Sequence, residues 1–207
     1  TEPGAGTDAQ GQQTTAVKDE NGNWVLNGSK IFITNAGYAN VFIIIAVTGT
    51  VVDKKGRKSK EISAFIVERT DPGFSVGKHE KKMGIRGSST CELIFENCVI
   101  PGDRLLGKQG NGFKIAMKTL DGGRIGVAAQ ALGIGEGAVE EAIAYTKERV
   151  QFGKRISQQQ NTQFQLADMH TRMEAAKYLV YSAACKKQAG EPYSADAAMA
   201  KLFAAEA

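Results

Sequence analysis

The spacing of apolar residues changes once along this chain, and that change limits the folds open to it. Up to about Pro101, short runs rich in Val, Ile, Thr and aromatic residues are separated by Gly, Asn, Asp and Pro clusters, which predicts β-strands. From Gly112 onward, apolar residues recur every three or four positions, as in amphipathic helices. The sequence therefore predicts an α+β protein. The predicted strands are 13–19, 24–34, 41–48, 61–69, 73–79 and 91–100.

The strand half favours a sandwich or barrel, because several short strands follow one another at regular spacing. The helical half favours packing in a bundle, with a third helix starting after Gly190, Pro192 and Ser194. One apolar stripe comprises Phe113, Ala116, Leu120, Val127, Ala131, Ile134 and Ala138. A second comprises Leu166, Met169, Met173, Ala176, Val180 and Ala183.

Composition excludes several classes of protein. No apolar run approaches the ~20 residues of a membrane helix, and the net charge of +4 is mild. The basic run 52–60 lacks interleaved aromatic residues, so we interpret it as a solvated hairpin connection and not as a nucleic-acid surface. Three cysteines without C-x-x-C spacing fit a reducing intracellular compartment. Two isolated histidines argue against a histidine metal site.

The opening TEPGAGTDAQG contains G-x-G-x-x-A at Gly4, Gly6 and Ala9, the spacing of a dinucleotide-binding turn. That turn requires a strand before it and a helix after it, and the sequence predicts neither here. The glycines therefore have another use. They let the backbone approach something flat or bulky, or they form a plain glycine turn.

Three further segments do not look like simple packing. In SKIFITN, Phe32 and Thr34 fall on one face of a predicted strand, which suits a heteroaromatic ring, although ordinary strand packing explains the pair equally well.

The helix TLDGGRIGVAAQALGIGEG carries six glycines, each costing roughly 1 kcal/mol relative to alanine. Close approach of a ligand or of another helix would offset that cost. Asp121 and Arg124 share one side of this helix, as substrate contacts or as a surface ion pair.

The third segment is ERVQFGKRISQQQNTQFQLADM, residues 148–169. Basic side chains flank an aromatic-glycine pair, and several glutamines follow. Guanidinium groups and amides suit the phosphates of a nucleotide, and a solvated basic loop is the alternative.

Together and in this order, these segments resemble the acyl-CoA dehydrogenase family. The motifs are TEPGAGTDAQG, KIFITN, KMGIRGSSTCELIFENCVIP, LDGGR and RVQFGK, and TLDGGRIGVAAQALGI with DAAMAKLFAAEA is most similar to the short-chain, butyryl-CoA branch. The resemblance implies a middle β-barrel domain over residues 1–103 and the start of a C-terminal helical bundle over 104–207. It also implies an internal segment of a longer protein, usually a homotetramer.

The resemblance implies roles for individual residues. Those expected to contact FAD are Thr1, Phe32, Ile33, Thr34, Arg149, Phe152, Gln160 and Gln163. Those expected to contact the acyl-CoA substrate are Thr7, Asp121, Gly122, Gly123 and Arg124. In the family, the nucleotide contacts often come from a neighbouring subunit. Phe32 stands where many members carry Trp.

The implied reaction is α,β-dehydrogenation of a short acyl-CoA, with electrons passed to an electron-transfer flavoprotein, in a bacterial cytoplasm or a mitochondrial matrix. Gly123 stands where one branch places its catalytic glutamate, so the base is expected beyond Ala207 and the segment alone is expected to be inactive. The alternatives are an acyl-CoA oxidase-like flavoenzyme and a non-catalytic scaffold module.

Overall fold

The strand half of the chain forms one seven-stranded sheet in the computed structural model, which describes residues 1–52 and 55–207. The strand order is β5-β6-β2-β1-β3-β4-β7, and neighbours are antiparallel except β1 with β3. All six predicted strands are present, followed by a short seventh. They are β1 (Thr15–Lys18), β2 (Trp24–Thr34), β3 (Val41–Val52), β4 (Lys58–Glu68), β5 (Phe74–His79), β6 (Thr90–Ile100) and β7 (Leu105–Leu106).

The mixed α+β class is confirmed, and the sheet is open in the described part of the chain. Its edges are β5 and β7. Closure of these strands into a barrel therefore stays a prediction.

The core of the sheet follows the two-residue period of its strands. On β3, Phe42, Ile44 and Ala46 are buried, while the residues between them face outward or are half-buried. The buried set packs against aromatic side chains of other strands, including Trp24 and Phe65, whose ring centroids lie 5.0 Å apart. Large apolar side chains thus stabilise the sheet from one face.

The connection predicted at 52–60 is shorter than expected. β3 continues to Val52 and β4 begins at Lys58, with these two residues paired across the hairpin. Asp53 and Lys54 of that predicted connection lie outside the described residues. The predicted hairpin between these strands is confirmed, and its described end is exposed. Only the bounds differ, because backbone pairing continues into an exposed hairpin end regardless of side-chain polarity. One lysine of the run, Lys60, also binds the backbone of the opening loop.

The remainder of the chain is helical. Helix α1 spans Gly112–Glu148, α2 spans Gln160–Ala189 and α3 spans Ser194–Glu206. A small hairpin of β8 (Val150–Gln151) and β9 (Lys154–Arg155) joins α1 to α2, and short 3-10 turns lie at Gly102–Arg104 and Ile156–Gln158. None of the described helices is both long and apolar enough to cross a bilayer.

The chain divides into two compact units, Thr1–Ala116 and Met117–Ala207, and the division falls near the start of α1. The predicted domain boundary after residue 103 stays a prediction.

The helices bury one predicted stripe and expose part of the other. On α2, Met173, Ala176, Val180 and Ala183 are buried, as the spacing indicates. On α1 the predicted stripe is wrong in part, because Leu120, Val127 and Ile134 are exposed. The buried face of α1 comprises Ala128, Leu132 and Val139. Apolar residues occupy more than one side of α1, so their spacing alone does not identify the side that packs.

Candidate functional site

The carboxylate of Glu2 is the centre of a buried hydrogen-bond network in the first unit. Its oxygens accept hydrogen bonds from the backbone N–H of Gln13 at 2.6 Å and of Thr14 at 3.1 Å. The ammonium of Lys30 on β2 donates to Glu2 Oε1 at 2.6 Å and to Gln12 Oε1 at 2.9 Å. These bonds close the opening segment into a loop that lies against β2.

The electrostatics of this pair favour the ionised carboxylate. Burial alone raises the pKa of Glu2, but hydrogen bonds from Lys30, Thr14 and Gln13 outweigh it and lower the pKa from 4.5 to about 2. Burial also lowers the pKa of Lys30, and the attraction of Glu2 only partly offsets this. The geometry explains the contrast, because the carboxylate meets several donors while the ammonium has two acceptors for three N–H groups.

The loop passes so close to β2 that one position there must be glycine. Gly28 has φ +139°, and a Cβ on it would lie 2.8 Å from the Cα of Thr14. By contrast, a Cβ on Gly4 or Gly6 would meet no atom of the described chain within 4 Å. Those two glycines are therefore not required by packing within this unit. A cavity of about 360 Å³ opens beside the loop, lined by Glu2, Pro3, Gly4, Gly11, Gln13, Thr14, Gly28 and Ser29.

A β-bulge on β2 lies beside the start of the loop. Pairing with β6 shifts by one residue between Lys30 and Ile33, and Phe32 adopts φ +58°. Phe32 is 58% exposed, Thr34 is exposed, and the N–H of Ile31 donates to the carbonyl of Thr1 at 2.9 Å. Four of the predicted residues, Thr1, Phe32, Ile33 and Thr34, thus lie together at the C-terminal end of β2. The bulge interrupts the regular alternation on which the prediction for Phe32 and Thr34 rested, yet both side chains are exposed.

The predicted substrate residues of the second unit lie near the start of α1. Arg124 Nη1 donates to Asp121 Oδ1 at 2.6 Å, as the spacing indicates. The hydroxyl of Ser194, the first residue of α3, donates to the other oxygen of Asp121. Gly122 lies beneath the side chain of Lys187, whereas Gly123 faces open space.

The glycines of α1 differ in what surrounds them. A Cβ on Gly135 would lie 2.4 Å from Met173 Sδ, so this glycine permits close approach of α2. Within the described chain, Cβ atoms on four others would meet nothing within 4 Å: Gly123, Gly126, Gly133 and Gly137. Helix packing in this unit therefore explains only part of the glycine content.

The remaining predicted cofactor residues lie at the far end of α1. Phe152 and Gly153 form the turn of the β8–β9 hairpin with φ +54° and +74°, and Phe152 is 94% exposed. A phenylalanine with positive φ is strained, so this conformation is unusual for so large a side chain. Gln163 donates through Nε2 to the carbonyl of Ser157 at 3.0 Å. Arg149 and Gln160 are exposed.

Helix α1 separates these two groups. From Arg124 to Glu148 the helix rises about 36 Å, at 1.5 Å per residue. A ligand atom beside Asp121 and Arg124 would therefore be too distant to touch the residues around Phe152, so the two groups do not form one compact site.

Sequence reasoning missed Lys30, Gln12 and Ser194. Lys30 had a usable signal, because it falls on the same alternate positions of β2 as the buried Trp24 and Leu26, and a buried lysine requires a carboxylate. Ser194 had none, since its partner Asp121 lies 73 residues away. In the described part of the chain, no three His, Cys, Asp or Glu side chains form a metal-binding group.

Comparison with known proteins adds the family context of this geometry. Two family models match: "Acyl-CoA dehydrogenase, middle domain" over residues 1–98 and "Acyl-CoA dehydrogenase, C-terminal domain" over residues 110–207. A relative in Megasphaera elsdenii, "Acyl-CoA dehydrogenase, short-chain specific", is 55% identical over 206 residues, covering 100% of this chain and 52% of that protein.

Two solved structures are similar to this chain over its whole length. Butyryl-CoA dehydrogenase from Megasphaera elsdenii is 56% identical with a TM-score of 0.91, over 100% of this chain and 52% of the other. A chain from a study of the electron transferring flavoprotein of Acidaminococcus fermentans is 58% identical with a TM-score of 0.89, over 100% and 53% of the two chains. The chain spans about half the length of the relatives it matches.

Proposed function

The chain belongs to the acyl-CoA dehydrogenase family, and from that premise we propose that the protein containing it oxidises short-chain acyl-CoA thioesters to trans-2-enoyl-CoA. The observation that carries the proposal is the C-terminal end of β2, where Phe32 and Thr34 are exposed beside the carbonyl of Thr1. An aromatic face, a hydroxyl and a nearby backbone suit a flat heteroaromatic ring.

FAD fits this end of β2, and when bound it supplies the acceptor for the hydride that leaves the β-carbon. Phe32 would stack on the flavin ring, since the bulge holds its side chain outward. Thr34 would donate a hydrogen bond to a ring nitrogen, while Ile33 and the backbone of Thr1 would position the ring. The buried Glu2–Lys30 pair would keep the loop in place during turnover.

The diphosphate and adenosine of FAD would contact Arg149, Phe152, Gln160 and Gln163. These residues form a basic, amide-rich end of the second unit, suited to phosphate oxygens. The exposed, strained Phe152 supports burial of this hairpin by another molecule. A homotetramer, in which the hairpin binds the cofactor of a neighbouring subunit, would bury it.

The acyl-CoA would contact Thr7 and the segment Asp121, Gly122, Gly123 and Arg124. Arg124 and Asp121 would orient the CoA side of the substrate. Removal of the α-proton needs a positioned general base such as a carboxylate, and Gly123 leaves none at the position before Arg124. We assign the base to a glutamate outside these 207 residues.

The remaining features of the proposal concern assembly and setting. The sheet of residues 1–103 would close as a β-barrel, and residues 104–207 would begin a helical bundle. Electrons would pass to an electron-transfer flavoprotein, an assignment supported by the similar chain from the Acidaminococcus fermentans study. The setting would be a bacterial cytoplasm or a mitochondrial matrix.

Anaerobic reduction of the complete protein tests the proposal. Butyryl-CoA should bleach the visible absorbance of the oxidised flavin, and electron-transfer flavoprotein should restore turnover. Thr34→Val should slow flavin reduction, whereas Thr15→Val, exposed on β1, should not. Absence of bleaching in the flavin-loaded protein would refute the proposal. Reoxidation by oxygen at the rate obtained with the flavoprotein would instead identify an oxidase.

A further inference from the structure

The start of α3 completes the surroundings of Asp121. Arg124 holds Oδ1 of this carboxylate and the Ser194 hydroxyl holds Oδ2, so each oxygen has a partner. Ser194 follows the turn that begins at Gly190, which has φ +73° and ends α2. The orientation of Asp121 and Arg124 therefore depends on a residue of another helix.

A cation lies next to this group. A Cβ on Gly122 would lie 3.1 Å from Lys187 Nζ and 3.9 Å from the hydroxyl of Tyr193. The glycine thus leaves room for the ammonium directly beside the Asp121–Arg124 turn. A side chain at this position would displace the lysine.

Lys187 differs from its neighbour in its partners. Lys186 donates to Asp196 at 2.6 Å, an ordinary ion pair between α2 and α3. No carboxylate of residues 1–52 or 55–207 forms an ion pair with Lys187. With Asp121 already held by Arg124 and Ser194, the group carries excess positive charge and free N–H and O–H donors.

We propose that Lys187, with Arg124 and the Tyr193 hydroxyl, forms a subsite for a phosphate of the CoA nucleotide, and that Ser194 is its positioning residue through Asp121. The inference rests on the proposed function for the identity of the ligand. The positive charge of these side chains indicates which part of CoA they would bind. CoA carries its negative charges on phosphates, while its pantetheine and thioester are uncharged. An ammonium without a carboxylate partner selects the charged part.

Substrates with and without phosphates test the subsite in the complete, flavin-loaded protein. For Lys187→Gln we expect the KM for butyryl-CoA to rise about fivefold, the size of a solvent-accessible charge-assisted contact. The kcat and the KM for S-butyryl-pantetheine should not change. Lys201→Gln, an exposed lysine on α3, should leave both substrates unaffected. Ser194→Ala should raise the KM for butyryl-CoA. Ser194→Thr, which keeps the hydroxyl, should have the KM of the unaltered protein.

Binding of free CoA separates this inference from the proposed function. Calorimetry should show about fivefold weaker CoA binding in Lys187→Gln than in the unaltered protein, and a smaller difference at high salt. If butyryl-CoA is not oxidised but this difference is present, the proposed function fails and the subsite stands. Equal effects of Lys187→Gln on butyryl-CoA and S-butyryl-pantetheine, or unchanged CoA binding, would overturn the subsite.

Discussion

Replacing Glu2 by glutamine tests how strongly the buried pair with Lys30 stabilises the opening loop. The substitution nearly keeps the volume but removes the negative charge, and it leaves the Lys30 ammonium buried. Removing one partner of a buried ion pair costs about 3–5 kcal/mol. The fall in the pKa of Glu2 from 4.5 to about 2 corresponds to about 3 kcal/mol of folding free energy at neutral pH. We therefore expect Glu2→Gln to lower the free energy of unfolding by about 3–4 kcal/mol.

The pH dependence of this effect has a definite sign. The pKa of Glu2 is lower in the folded chain than its ordinary value of 4.5, so the carboxylate stabilises the fold fully above that value. The stabilisation is lost as the pH falls from 4.5 toward about 2. The difference in stability between Glu2→Gln and the unaltered chain should shrink over this interval.

Urea unfolding followed by fluorescence measures the effect directly. The 207 residues contain one tryptophan, Trp24, which is buried in the same sheet. The matched control is Glu80→Gln, whose partner Lys78 is exposed at 3.8 Å, and it should cost less than about 1 kcal/mol. Adding Lys30→Met to Glu2→Gln should recover most of the loss, because no unpaired charge then remains buried. If Glu2→Gln costs no more than Glu80→Gln at neutral pH, the reasoning is wrong.

Other substitutions test the glycines and the exposed hairpin. Gly135→Ala should destabilise the second unit by about 1–3 kcal/mol, since the new Cβ would meet Met173 Sδ at 2.4 Å. Gly137→Ala, whose new Cβ would meet nothing within 4 Å, should stabilise it by up to about 1 kcal/mol. Thermal unfolding that ranks the two variants in the opposite order would contradict this packing. Gly28→Ala should lower stability by at least about 2 kcal/mol because of its φ of +139° and the close backbone of the loop, and urea titration showing no change would exclude that contact. Phe152→Gly should leave the chain at least as stable, because it relieves a φ of +54°, yet should release FAD from the complete protein during gel filtration. Full FAD retention would remove Phe152 from the proposed cofactor site.

Local patterns were sufficient to predict most elements of this chain. The run from Trp24 to Thr34 was predicted with the bounds that β2 has, because alternating β-branched and aromatic residues end at turn-forming ones. The buried stripe of α2 was also predicted, since its apolar residues occupy one side of the helix. The ordered motifs along the chain are sufficient to identify the family.

Three features depended on contacts between distant residues. The bulge at Phe32 interrupts a run whose alternation continues in the sequence, because it depends on pairing with β6. The side of α1 that packs was mispredicted in part, since apolar residues occupy more than one side of this helix. Gly135 lies under Met173 of α2, a contact that the periodicity of α1 does not contain. The bond from Ser194 to Asp121 joins helices far apart along the chain. Periodicity records what each residue contributes to its own element, whereas burial and hydrogen bonding depend on which other element lies opposite, and only the folded chain determines that.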